Sequence, residues 1–151
     1  MKPGSVKSGR DKILIVDDDP AIRQILLRLL EENGYLVLTA ANGVEAIEIA
    51  KATKADLVLL DLNMPIKDGW ETFKQLSTEN PLLPIILMTA RSNQFFSALA
   101  SGVGALLEKP LDFERLFITI ECLLKEPVET RLARIRNRSP FFSYIPPKAQ
   151  A

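Results

Sequence analysis

Five short apolar runs recur along the chain: Ile13-Leu-Ile-Val16, Tyr35-Leu-Val-Leu-Thr39, Leu57-Val-Leu-Leu60, Ile85-Ile-Leu-Met88 and Ala105-Leu-Leu107. Each is nearly continuous in hydrophobicity rather than alternating, the pattern of parallel strands covered by helices on both faces. The stretches between them carry helical spacing. Ile22, Ile25, Leu26, Leu29 and Leu30 repeat at three and four, with Asn33-Gly34 as a stop. Val44, Ala46, Ile47 and Ala50 predict a second helix after Asn42-Gly43, and Trp70, Phe73 and Leu76 a third, closed by Asn80-Pro81. Phe95, Phe96, Leu99 and Ala100 predict a fourth, ending at Ser101-Gly102. Phe113, Leu116, Phe117, Ile120 and Leu123 predict a fifth, with Asp112 as N-cap. Strict alternation of strand and helix predicts an α/β fold: a doubly wound, five-stranded parallel sheet with right-handed crossovers.

In open sheets of this kind, ligands bind beyond the carboxyl ends of the strands. Asp17-Asp18-Asp19 follows the first run, Asp61 the third, Thr89 the fourth, and Lys109-Pro110 comes just after the fifth. The second run delivers only Ala40-Ala41, as a strand outside the site would. Taken alone, each polar group has an ordinary reading: a solvated acidic loop, a helix or turn cap, a surface charge. Four of them at one sheet edge point to a site. Clustered carboxylates repel one another unless a hard divalent cation such as Mg²⁺ bridges them. A further carboxylate can attack phosphorus and form an acyl phosphate. The phosphoryl oxygens then need a positive charge and a hydrogen-bond donor, which Lys109 and Thr89 supply.

Composition narrows the chemistry further. The chain has 151 residues, which fits one core, and no histidine. That removes imidazole acid–base catalysis, Ser-His-Asp and Cys-His arrangements and His-ligated zinc. Cys122 is the only cysteine and reads as a small core or helix-face residue. Lys+Arg and Asp+Glu both number 19, so overall charge indicates no nucleic acid or membrane surface as partner. No apolar run approaches the length of a membrane span, and the first residues have no signal-peptide core, so a cytoplasmic location is expected.

With those residues in hand, the sequence resembles the receiver domain of two-component response regulators, of the single-domain, chemotaxis-regulator type. The matching segments are Ile13-Leu-Ile-Val-Asp-Asp-Asp-Pro20, Leu57-Val-Leu-Leu-Asp-Leu-Asn-Met-Pro65, Asp68-Gly69, Met88-Thr-Ala90 and Glu108-Lys-Pro110. The resemblance implies a flavodoxin-like (βα)5 fold with Asp61 as phosphoacceptor and Asp17 and Asp18 as the acidic pair that binds Mg²⁺. It implies that Asp61 and the Asn63 backbone carbonyl complete the metal shell. It makes Thr89 the switch hydroxyl and Lys109 the phosphate-pairing lysine, with a cis bond to Pro110; Asp19 is extra and expected to face solvent. The donor would be a sensor histidine kinase or His-containing phosphotransfer protein. The output surface would be the face of the fourth helix, fifth strand and fifth helix, and no external substrate would be turned over. One departure stands out: where many receivers carry an aromatic residue three positions before the lysine, this chain has Leu106.

By this reading residues 1–11 form a flexible N-terminus, 12–125 the receiver, and 126–151 a tail. Val128, Leu132 and Ile135 in the tail fall at helical spacing among Arg131, Arg134, Arg136 and Arg138. Ser139-Pro140, Phe141-Phe-Ser-Tyr-Ile145 and Pro146-Pro147 follow and read as irregular. Three roles stay open for it: a solvated extension, packing onto the receiver or onto a second copy in a homodimer, and a docking peptide for a partner or weak nucleic-acid contact. Two other functions compete with the switch. A receiver-like adaptor without phosphorylation is one; a phosphatase that forms an aspartyl-phosphate is the other. The latter is disfavoured by Ala21 and by loops too short to form a cap.

Overall fold

The computed structural model describes residues 9–64, 68–136 and 142–149. The sequence readings made above for residues 1–8, Pro65, Arg138, Ser139-Pro140 and Phe141 fall outside them, as does the side chain of Phe96. Each apolar run forms a strand: β1 (Lys12–Val16), β2 (Leu36–Ala40), β3 (Leu57–Asp61), β4 (Ile85–Thr89) and β5 (Ala105–Glu108). The helices between them are α1 (Pro20–Glu32), α2 (Gly43–Thr53), α3 (Gly69–Glu79), α4 (Phe95–Ser101) and α5 (Phe113–Leu124). Side-chain oxygens of Asp19, Asn42, Asp68 and Asp112 accept backbone N–H bonds at the starts of α1, α2, α3 and α5.

The sheet order is β2-β1-β3-β4-β5-β6, with every pairing parallel. Side chains along each central strand alternate between two cores. Leu14, Val16, Val58, Leu60, Leu87 and Leu106 meet α2, α3 and α4 on one face. Ile13, Ile15, Leu57, Leu59, Met88 and Leu107 meet α1 and α5 on the other. A continuous apolar run therefore serves both layers, each fully buried aliphatic side chain contributing about 2 kcal/mol.

The sheet has six strands rather than the expected five. The stretch beyond α5 forms α6 (Val128–Ile135) and then β6 (Ser143–Ile145), which pairs with β5 in the register Ala105↔Ser143, Leu106↔Tyr144, Leu107↔Ile145. Residues read as irregular thus close a sheet edge. Three helix faces also differ from the periodic reading. Ile25 and Val44 are about half exposed, and in α4 it is Ala98 that is buried while Leu99 and Ala100 face outward. The second run is a thinly covered edge strand with only Ala40 fully buried. Cys122 lies on the exposed face of α5.

Candidate functional site

The strand order reverses between β1 and β3, and that switch point opens a crevice at their carboxyl ends. Register places Val16 beside Leu60, so Asp17 and Asp61 emerge side by side. Both carboxylates are buried, at 0% and 2% exposure, while Asp18 faces solvent. One carboxylate oxygen from each of Asp17, Asp18 and Asp61 lies within 4.8 Å of the others, a spacing that suits a single cation. Lys109 reaches over from the end of β5. Its Nζ donates to Asp17 Oδ2 at 2.9 Å and lies 3.6 Å from Asp61 Oδ1. The Lys109–Pro110 bond is cis.

Backbone donors orient the acids. The Asp19 N–H donates to Asp17 Oδ1 at 2.9 Å, and the Asn63 N–H to Asp61 Oδ1 at 3.1 Å. Arg23 Nη1 donates to the Asp17 carbonyl at 2.6 Å and ties α1 to the loop. Burial raises the Asp61 pKa from 3.8 to about 6, and the neighbouring charges of Asp17 and Asp18 push the same way. The Asn63 N–H and the Lys109 ammonium pull it down without cancelling the rise. The carboxyl therefore sits in a place that disfavours its own negative charge, and an added cation relieves that.

Thr89 is fully buried at the end of β4. Its hydroxyl donates to Asn63 Oδ1 at 3.0 Å and accepts from the Arg91 N–H at 3.0 Å. The Ala90 N–H donates to the same Asn63 oxygen at 3.1 Å. The Asn63 side chain thus bridges the ends of β3 and β4, a role the sequence reading, which used only its backbone carbonyl, did not contain. Asp19, exposed as expected, also caps α1. Gly69 packs so tightly on the Leu62 Cα and the Asp61 carbonyl oxygen that no Cβ fits there. Only glycine lets α3 start so close to the end of β3. Beside the carboxylates an open cleft is bordered by Asp18, Asn63, Trp70, Arg91 and Gln94. Half-buried Trp70 stacks edge-on against Phe73 at 5.8 Å and donates its indole N–H to Gln94 at 2.9 Å, linking α3 to the start of α4.

Three acids, a lysine and a hydroxyl thus lie together at the switch point of a doubly wound sheet, and comparison with known proteins gives the family. Residues 13–121 match the response regulator receiver domain, and the chain belongs to that family. It is 44% identical over 110 residues to the transcriptional regulatory protein ZraR of Klebsiella oxytoca, covering 72% of this chain and 25% of that one. It is 40% identical over 116 residues to the response regulator MprA of Mycobacterium ulcerans, covering 76% and 50%. The chain thus spans a quarter to a half of the length of these relatives. Among solved structures, the response regulator TrrA of Thermotoga maritima, crystallised with Mg²⁺-BeF, superposes with a TM-score of 0.70 at 34% identity, covering 75% of this chain and 98% of that one. The chemotaxis protein CheY4 of Vibrio cholerae gives 0.71 at 32%, covering 76% and 99%. Response regulators of this kind work in two-component systems. Among the described residues no helix is long and apolar enough to cross a membrane.

Proposed function

We propose that the chain is a phosphorylation switch whose acceptor is Asp61. A histidine kinase or His-containing phosphotransfer protein presents a phosphohistidine at the cleft. An Asp61 carboxylate oxygen attacks phosphorus, the P–N bond to the donor imidazole breaks, and an acyl phosphate forms. Mg²⁺, held by Asp17, Asp18, Asp61 and the Asn63 carbonyl, would neutralise charge developing on the phosphoryl oxygens. Lys109 adds a second positive charge, and the Thr89 hydroxyl exchanges its bond to Asn63 for one to the phosphoryl group. Return to the resting state is by water attack on phosphorus, so the cycle turns over only the protein's own phosphoryl group. A donor imidazole on the partner fits a sequence that carries no histidine.

The observation that carries this reading is the gathering of three carboxylates within 4.8 Å at the switch point, beneath the Lys109 ammonium. The test is labelling by acetyl phosphate, read as a gain of one phosphate in intact mass. Wild type should be labelled with Mg²⁺ and not with excess chelator, and Asp61→Asn should not be labelled. An unlabelled wild type would favour the adaptor reading, and equal labelling of Asp61→Asn would move the acceptor elsewhere.

A further inference from the structure

The tail segment that forms β6 lies beyond the residues matched to the receiver family, yet it is built into the sheet. Its side chains alternate as a paired strand requires. Ile145 is buried in the core shared by α1 and α5, whereas Phe142 packs against the core on the α4 side. The Ser143 N–H donates to the Gly104 carbonyl at 3.1 Å and the Lys148 N–H to the Pro110 carbonyl at 2.9 Å, one bond at each end of β5. The tail therefore covers the edge at which any partner strand would add to this sheet.

The same segment touches both the helix that follows Thr89 in the chain and the strand paired beside β4. Phe95, the first residue of α4, stacks edge-on against Phe142 at 5.7 Å and against Tyr144 at 5.4 Å. Tyr144 pairs in register with Leu106, two residues from Glu108, the partner of Thr89 across β4 and β5. A hydrogen bond to the Glu108 carboxylate, which is itself buried, raises the Tyr144 pKa. Two short routes thus join the pocket to the tail: Thr89 through the 90–94 loop to Phe95, and Thr89 through Glu108 to Tyr144.

Resting on the phosphoryl-switch reading, we propose that residues 142–148 are a clasp that closes the β5 edge against partner strands, and that phosphorylation of Asp61 opens it. In the resting arrangement the Thr89 hydroxyl is held by Asn63 and by the Arg91 N–H, which fixes the loop leading to Phe95. A phosphoryl group that draws the hydroxyl away shifts that loop and unseats Phe95 from both tail rings. The strand is three residues long, lies at the sheet edge and has only Ile145 buried, so it opens at lower cost than the central strands.

The test is amide hydrogen exchange on the full chain with Mg²⁺, with and without beryllofluoride. The Ser143 and Lys148 amides should exchange faster by roughly five- to 150-fold with beryllofluoride, the change expected for loss of both edge-on ring pairs. In Tyr144→Ala they should already be faster, and beryllofluoride should add only the smaller change left from the Phe95–Phe142 pair. Unchanged or slower exchange at Ser143 and Lys148, with a response at Asn63 and Ala90 beside the pocket, would overturn the clasp and leave the phosphoryl site standing. No response at Asn63 and Ala90 either would overturn both.

Discussion

Replacing Asp61 with asparagine removes a charge that the resting fold tolerates poorly. The carboxyl titrates near 6 in the folded protein against an ordinary 3.8, which corresponds to about 3 kcal/mol of disfavoured ionisation. The sign follows from the direction of the shift. The folded state binds this proton more tightly than the unfolded state, so the favourable contribution is complete below 3.8 and is lost as pH rises through about 6. The carboxamide oxygen of the variant can still accept the Asn63 N–H, and Lys109 keeps its bond to Asp17. Asp61→Asn should therefore match wild type near pH 4 and exceed it at pH 7.5 by up to about 3 kcal/mol, or roughly 6–12 °C in Tm. Thermal unfolding followed by circular dichroism across pH 4 to 8 in chelator reads the gap directly. Millimolar Mg²⁺ should narrow it by stabilising wild type alone. A variant no more stable than wild type at pH 7.5, or a gap of equal size at pH 4, would refute the account of a carboxylate strained by burial and by its acidic neighbours.

Two further substitutions probe the supports. Gly69→Ala forces a Cβ against Leu62 and the Asp61 carbonyl and should cost about 3 kcal/mol, with slower acetyl phosphate labelling; an unchanged urea midpoint and labelling rate would count against that close approach. Arg134 is buried, holds both Glu126 carboxylate oxygens at 2.6 and 2.7 Å and donates to the Gly102 carbonyl. Arg134→Ala leaves Glu126 with only the Arg131 guanidinium, 3.6 Å away, and should lose about 2 kcal/mol, with α6 amides losing protection while those of β3 keep theirs; protection retained throughout α6 would show that Arg134 does not anchor it.

Much of this was readable from the sequence because two-faced burial leaves a strong mark. β1, β3 and β4 are continuous apolar runs, and the residue just past or at the end of each one lands at the switch-point edge. Asp17, Asp61 and Thr89 could be found by that rule alone. What escaped depends on partners distant in sequence. Helical spacing marked Ile25 and Val44 as apolar but could not show that both lie on exposed sides of their helices. The Asn63 side chain bridges two strands only because β3 and β4 lie side by side. The 142–145 segment has a period-2 pattern, Phe142 and Tyr144 against Ser143 and Ile145, yet so short an alternation gains meaning only from a β5 edge waiting for it.

The Arg134–Glu126 anchor has a bearing on whatever competes for that edge. Fixing α6 to the body of the domain keeps the tail strand tethered close to its own berth, at an effective concentration on the order of millimolar. A free strand of equal intrinsic affinity, supplied by another protein at micromolar abundance, would lose that contest about a thousandfold. Selectivity at the edge is then a matter of chain connectivity as much as of side-chain fit, and a displaced tail, never far away, can return as soon as the signal decays.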